Sequence, residues 1–144
     1  MSLLSAMDIS TRGLSCERLR MELVAQNIAN VDTTKTNGEG PYKRKVAVFK
    51  EALQTELNVN KNTDNFNGNG VEVFKIVEDN ADPIMVYDPE HPDANQEGFV
   101  LKPNINLANE IIDSITASRA YGANVTVLNA TKALALKALT IGRG

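Results

Sequence analysis

Apolar residues over the first thirty positions recur at a helical spacing. Met7, Leu14, Met21 and Ile28 stand seven residues apart, with Leu3, Val24 and Ala25 beside them, which predicts a helix over about 2–30 with one apolar face. Gly13 falls inside this run and weakens it by roughly 1 kcal/mol relative to Ala. Asn30, Asp32 and the pair Thr33–Thr34 break the pattern, and Lys35-Thr-Asn-Gly-Glu-Gly-Pro41 has the composition of a loop. The last third repeats the helical signal for longer. Leu107, Ile111, Ile115, Ser118, Tyr121, Val125, Leu128, Lys132, Ala135 and Leu139 follow in steps of three and four. That seam predicts a helix of about 35 residues, some 50 Å long at about 1.5 Å per residue. Pro103-Asn104-Ile105-Asn106 marks its start, with an asparagine N-cap and with Glu110 and Asp113 near the positive end of the helix dipole. Lys132 and Lys137 sit toward the other end, and Gly142 and Gly144 close it.

Between the helices the period falls to two. Tyr42–Phe49 is Val-rich and alternates in part; Val71, Val73 and Val77 share one face of the next run, with Phe74 and Ile76 blurring the other. Ile84–Tyr87 and Phe99–Leu101 are shorter strand candidates. Asn58–Gly70, dense in Asn and Gly, reads as a long flexible loop, and Pro83, Pro89 and Pro92 punctuate later turns. The predicted fold class is α+β: long N- and C-terminal helices paired as an antiparallel coiled coil, with a small middle β domain. The chain divides into 1–34 (helix and turn), 35–102 (β-rich module) and 103–144 (helix). A chain of 144 residues cannot cover so long a helix. The two apolar stripes are therefore expected to pack on each other and on neighbouring subunits.

Composition narrows this picture. Aromatic residues make up 5% of the chain and Trp is absent, so the core rests on Leu, Ile, Val and Ala, which suits thin helical packing. The net charge of -3 argues against a general nucleic-acid binder, which presents a basic face. The charge is uneven: +2 over 1–45, -8 over 46–100 and +3 over 101–144, the profile of a solvated middle flanked by contact-forming ends. Cys16 is the only cysteine, which rules out an intramolecular disulfide and any C-x-x-C zinc site and leaves a small packing residue. The short apolar run at Met1–Met7 lacks a basic region before it, and no stretch reaches the length of a membrane span. Taken alone, this predicts a cytosolic protein.

The candidate chemistry is thin. His91, the only histidine, lies in Asp88-Pro-Glu-His-Pro-Asp93 with no nucleophile elbow to serve. The tripeptide His91-Pro92-Asp93 is similar to the J-domain signature of co-chaperones, but strand-like segments and prolines flank it, so it reads as a turn. Asn65-x-Asn67-x-Asn69-Gly70 resembles half a calcium loop. It lacks the first acid, and Ile76 stands where the bidentate Glu belongs. Lys43-Arg44-Lys45 is too short a cluster for phosphate-driven affinity; contact with the acidic middle of another copy is a second reading. The sequons at Asn124 and Asn129 fall within the helix and read as helix surface.

Both ends carry a more specific signal. Ala6-Met-Asp-Ile-Ser10, Gly13-Leu14 and Gln26-Asn27-Ile28-Ala29-Asn30-Val31-Asp32-Thr33-Thr34 resemble the N-terminal signature of the flagellar rod and hook axial proteins, in which Ala-Asn-x-x-Thr closes the first helix. Asn27 and Asn30 can bond backbone there, and the threonines favour extended chain. Asp32 replaces the family's commoner Asn. Pro103-Asn104-x-Asn106, Ser118-Arg119-x-Tyr121-x-Ala123-Asn124, Val127-Leu128-Asn129 and Lys132 are similar to the family's C-terminal helix. Tyr87-Asp88-Pro89 and Gly98-Phe99-Val100 are similar to its middle region. The short middle matches the proximal rod, since hook and distal-rod proteins have far longer ones. The Asn-rich loop is long for the family and the tail from Leu139 ends differently.

The resemblance implies a structural subunit of the bacterial flagellar proximal rod that polymerises through its terminal helices and transmits torque through the cell envelope. It implies no enzyme and no catalytic, cofactor-binding or metal residue. It places the chain in the basal body, in the rod within the periplasm, exported by the flagellar type III apparatus without a cleaved signal; the cytosolic expectation gives way to this. The implied partners are copies of the chain, other proximal rod and basal-body adaptor subunits, and the export apparatus, with no nucleic acid and no small-molecule substrate. The residues expected to carry assembly are Asn27, Asn30, Thr33, Asn104, Asn106, Ser118, Arg119, Tyr121, Ala123, Asn124, Leu128 and Asn129. The alternatives are another short axial rod component, or a soluble adaptor or co-chaperone using His91.

Overall fold

The computed structural model describes residues 3–36, 40–52 and 70–142. Two helices frame it, α1 over Leu3–Ala29 and α2 over Leu107–Ile141, as the seven-residue periodicities predict. Asn106 opens α2 from extended backbone, and its side chain accepts from the N–H groups of Ala108 at 3.0 Å and Asn109 at 3.2 Å, satisfying two of the helix's orphan donors. Asn30 closes α1, its Nδ2 donating to the Gln26 carbonyl at 2.8 Å. The helices run antiparallel. Asn27 meets Glu110 near one end, and Gly13, fourteen residues earlier, meets Asn124, fourteen residues later. A Cβ on Gly13 would lie 3.1 Å from Asn124 Nδ2. The glycine that weakens α1 in isolation is thus what lets the two backbones close up.

The seam of α2 differs from the predicted one. The side facing α1 is drawn from Glu110, Ala117, Asn124 and Thr131, seven residues apart, interleaved with Ser114, Tyr121, Leu128 and Ala135; all are buried or half-buried. Of the predicted seam, Tyr121, Leu128 and Ala135 stay, and Val125 lies half-buried at its edge. Leu107, Ile111, Ile115, Ser118, Lys132 and Leu139 are exposed. One residue is about 100° of rotation on a helix, so tracking the largest apolar side chains turned the seam away from α1. Apart from Tyr121 and Leu128 the residues facing α1 are small or polar and permit a close crossing, while Ile111, Ile115 and Leu139 point outward. The same register brings Leu3 level with Leu134, so the last turns of α2 reach past the described start of α1.

A second face of α1 holds a hairpin. β1 (Lys45–Glu51) and β2 (Val71–Glu78) pair antiparallel and pack on α1, with Cys16 and Arg20 in the contact. Cys16 Sγ donates to the Val71 carbonyl at 3.7 Å, and the Arg20 guanidinium lies 5.5 Å from the centre of the Phe49 ring. The register slips between Val48 and Phe49, so Val48 pairs with Lys75 but Phe49 with Val73. Phe74 is the extra residue of this bulge and is exposed, which is why the alternation over 71–77 fails there.

β3 (Ile84–Tyr87) and β4 (Phe99–Lys102) form a separate antiparallel ladder. Met85 pairs with Leu101 and Tyr87 with Phe99, putting all four on one exposed face, while Val100 on the other face is buried. Gly98 turns the chain into β4 at φ +81°, and a Cβ there would stand 2.9 Å from the Tyr87 ring. Only glycine meets both demands. Asn58–Gly70, apart from Gly70, lies outside the described residues, as do 37–39 of the 35–41 loop.

Candidate assembly junction and surface

The most deeply buried polar group on α1 is Asn27, 1% exposed. Its Nδ2 donates to the Lys45 carbonyl and to Glu110 Oε2, both at 3.0 Å, and its Oδ1 accepts from the Lys45 N–H at 2.9 Å and the Tyr42 hydroxyl at 3.1 Å. One amide thus ties the end of α1 to the start of β1 and the first turn of α2, with every donor and acceptor site used. Glu110 is equally buried and also accepts from Arg44 Nε at 2.6 Å, while Arg44 Nη2 reaches Asp113 Oδ2 at 3.4 Å. A buried carboxylate is tolerable because an arginine and an amide both serve it.

The residues after α1 continue the junction. Thr33 Oγ1 donates to Asn30 Oδ1 at 3.1 Å, and the Tyr42 N–H to the Thr33 carbonyl at 3.1 Å. Asp32 pairs with Lys102 Nζ at 3.1 Å, and Thr34 Oγ1 donates to Asp93 Oδ2 at 2.7 Å. Between them, the bonds from Asn27 to Thr34 reach α2, β1 and the chain just before it, β4 and the turn before β4. His91 belongs to that turn, its Nδ1 accepting from the Asp93 N–H at 3.1 Å, which fits the turn reading of His91-Pro92-Asp93. Among the described residues no group of three or more His, Cys, Asp or Glu could hold a metal ion, and no helix is long and apolar enough to cross a membrane.

The remaining candidates separate into two sets. Tyr121, Asn124 and Leu128 lie in the seam with α1, whereas Ser118, Arg119, Ala123 and Asn129 are exposed on α2. Asn104 is exposed on the wall of an open groove of about 460 Å³ beside Arg44 and Asp113. The sequence reading missed Arg44, Tyr42, Glu110, Asp93 and Lys102 as junction residues. Arg44 read as one third of a basic triplet and Glu110 as a helix-dipole acid, because nothing local shows that they meet across 66 positions.

Arg44→Ala is expected to destabilise the chain by about 3 kcal/mol, because it strands a buried carboxylate. Arg44→Met combined with Glu110→Leu should cost much less than the two single changes together, and urea unfolding of the four proteins measures this coupling. Alkali should act on the same region. Burial, then the charges of Glu17 and Glu72, pushes the Cys16 thiol up; burial, then Glu78 and Glu110, pushes the Tyr42 phenol up. Both groups hold their protons more tightly folded than unfolded, so their contribution is intact below the unfolded thiol value of about 8.5. Stability should fall as pH rises above it and further past the unfolded phenol value of about 10. Urea midpoints measured from pH 8 upward should show that decline, and Cys16→Ala should remove its first part.

Outside the junction the two helices differ in kind. The outer side of α1 is polar, with exposed pairs Asp8–Arg12 at 2.9 Å and Arg18–Glu22 at 3.5 Å. The outer side of α2 shows Ile111, Ile112, Ile115, Val127 and Leu134, all exposed, with small residues between. A helix with apolar residues all round is a buried helix, and this chain buries only one side of it. The helix pair is thus tied at one end and carries a bare apolar flank along α2. The family model described as "Flagella basal body rod protein" matches residues 7–35, and the one described as "Flagellar basal body rod FlgEFG protein C-terminal" matches 96–141. The chain is 43% identical over 150 residues to the flagellar basal-body rod protein FlgC of Bacillus subtilis, covering 99% of this chain and all of the relative. It is 38% identical to FlgC of Borreliella burgdorferi, end to end on both chains, and 34% identical to FlgC of Salmonella typhimurium over 99% of this chain and all of the relative. The chain belongs to the FlgC family of flagellar basal-body rod proteins and is a structural subunit of the flagellar rod.

Proposed function

We propose that this subunit polymerises through its terminal helices into the proximal rod, in the periplasmic part of the basal body, and there transmits torque through many packed contacts in parallel. The observation that carries this is the bare flank of α2, which needs neighbouring subunits to remove it from water. Its partners on this reading are copies of itself, other proximal rod proteins and basal-body adaptor subunits, and the type III export apparatus that delivers it without a cleaved signal. The motif residues then divide their work. Asn27, Asn30, Thr33, Asn106, Tyr121, Asn124 and Leu128 hold the subunit's shape, while Asn104, Ser118, Arg119, Ala123 and Asn129 face neighbours. Catalysis, nucleic acid, cofactors and small-molecule substrates have no part in it. A soluble adaptor built on His91 has less support, because the imidazole is already engaged within its own turn.

In dilute solution the helices should fray from the open end, where α2 outreaches α1. Circular dichroism should then report less helix than the 27 and 35 residues of α1 and α2, and rise toward that content on assembly. A dilute monomer with full helix content, in a protein absent from purified basal bodies, would overturn the reading.

A further inference from the structure

The chain carries two surfaces that complement each other and cannot meet within one molecule. The first is the outer face of the β3–β4 ladder. Met85, Tyr87, Phe99 and Leu101 lie there side by side, with Met85 69% and Tyr87 66% exposed and the Tyr87 and Phe99 rings in edge contact at 5.3 Å. Met85, Phe99 and Leu101 also line an open groove of about 510 Å³ against the loop after α1, and Lys35 is the one cation among the described residues that line it. Residues 79–99 carry six carboxylates and no Lys or Arg, with Asp82 just before β3 and Asp88 just after it. A contiguous apolar face of this kind within an acidic rim marks an interaction site, and its partner must be apolar and basic.

The second surface has that chemistry. Residues 114–141 contain Arg119, Lys132 and Lys137 and no carboxylate. Arg119, Ala123, Thr126, Ala130, Ala133 and Lys137 follow at steps of three and four and are all exposed on the side of α2 away from α1. The stripe is smooth, with a cation at each end about 27 Å apart at about 1.5 Å per residue. Asp82 and Asp88 stand beyond the two ends of β3, about 20 Å apart at about 3.3 Å per strand residue, a difference that long basic side chains can span. β3–β4 is pinned to the closed end of the helix pair by Asp32–Lys102 and Thr34–Asp93, whereas the stripe runs toward the open end.

Resting on the reading of the chain as a polymerising subunit, we propose that a second copy of this chain seats the Arg119–Lys137 stripe of its α2 on the Met85–Tyr87–Phe99–Leu101 face. Because the two surfaces are different and lie at opposite ends, the contact is heterologous and each copy offers a fresh surface to the next. Rim charges set its register and its salt dependence.

The test is a charge swap read by sedimentation velocity on the full chain at rising concentration. The unaltered chain should self-associate, more weakly at high salt. Arg119→Glu with Lys137→Glu, and separately Asp82→Lys with Glu97→Lys, should each weaken association at least tenfold, and mixing the two variants should restore it. All four positions are exposed, so circular dichroism should match between variants. The proposal fails if both variants associate like the unaltered chain, if mixing does not rescue, or if the unaltered chain stays monomeric yet binds another purified rod subunit through this face. Incorporation of the unaltered chain into basal bodies is scored separately: its success beside any of those failures removes the copy-to-copy contact and leaves the rod assignment standing.

Discussion

Asn27→Leu is expected to lower the stability of the free chain by about 4 kcal/mol, read as the urea midpoint with an unchanged slope. Leucine matches the amide in volume and supplies none of its four bonds. The Lys45 N–H and carbonyl, the Tyr42 hydroxyl and Glu110 Oε2 all lose a partner at once, at about 1–3 kcal/mol for each group that water does not reach. Tyr42 is only half-buried and Glu110 keeps Arg44, which holds the total well below four full penalties. Asn27→Asp separates hydrogen bonding from shape. It keeps an acceptor for Lys45 and Tyr42 but sets a second carboxylate against Glu110, so it should be no milder than leucine. Asn104→Leu is the control: an exposed asparagine of the C-terminal motif, it should change stability by less than about 0.5 kcal/mol. A small effect at Asn27 equal to that at Asn104 would show that the junction does not hold the fold.

This contrast also marks what the sequence made legible. Helix existence and extent follow from local spacing, and the N-cap at Asn106 and the strands at Ile84–Tyr87 and Phe99–Lys102 follow from local chemistry. The face each helix presents does not. A hydrophobic pattern locates the side that leaves water, and in a subunit of an assembly that side is shared between its own chain and its neighbours. Following Ile111, Ile115 and Leu139 therefore led to the outward flank, while the intramolecular seam of Ala117, Asn124 and Thr131 looked like surface. The motif asparagines had a similar fate. Asn30 does make the local turn its type suggests, but Asn27 works mainly across 18 and 83 positions, and no local rule names a partner at that distance. The bulge at Phe74 is likewise a product of pairing; alternation on one strand alone leaves it as an unexplained phenylalanine.

The flank itself supplies the second large effect. Ile112→Asp combined with Leu134→Lys should leave the isolated chain folded and abolish its entry into the rod. Both side chains are about 60% exposed in the single chain (60% and 61%), so the changes remove little burial on folding, and surface substitutions of this sort shift stability by about 0.5 kcal/mol or less. In the assembled rod the same positions would bury unpaired charges against neighbours, at several kcal/mol each in every copy. Cells carrying the variant should export it and fail to swim, with the chain missing from purified basal bodies. Val100→Asp provides the opposite profile: Val100 is 1% exposed beneath β3–β4, so that change should unfold the ladder before assembly is reached. Normal swimming by the double variant would mean that no neighbour covers this side of α2, and the outward apolar residues would then need another cause.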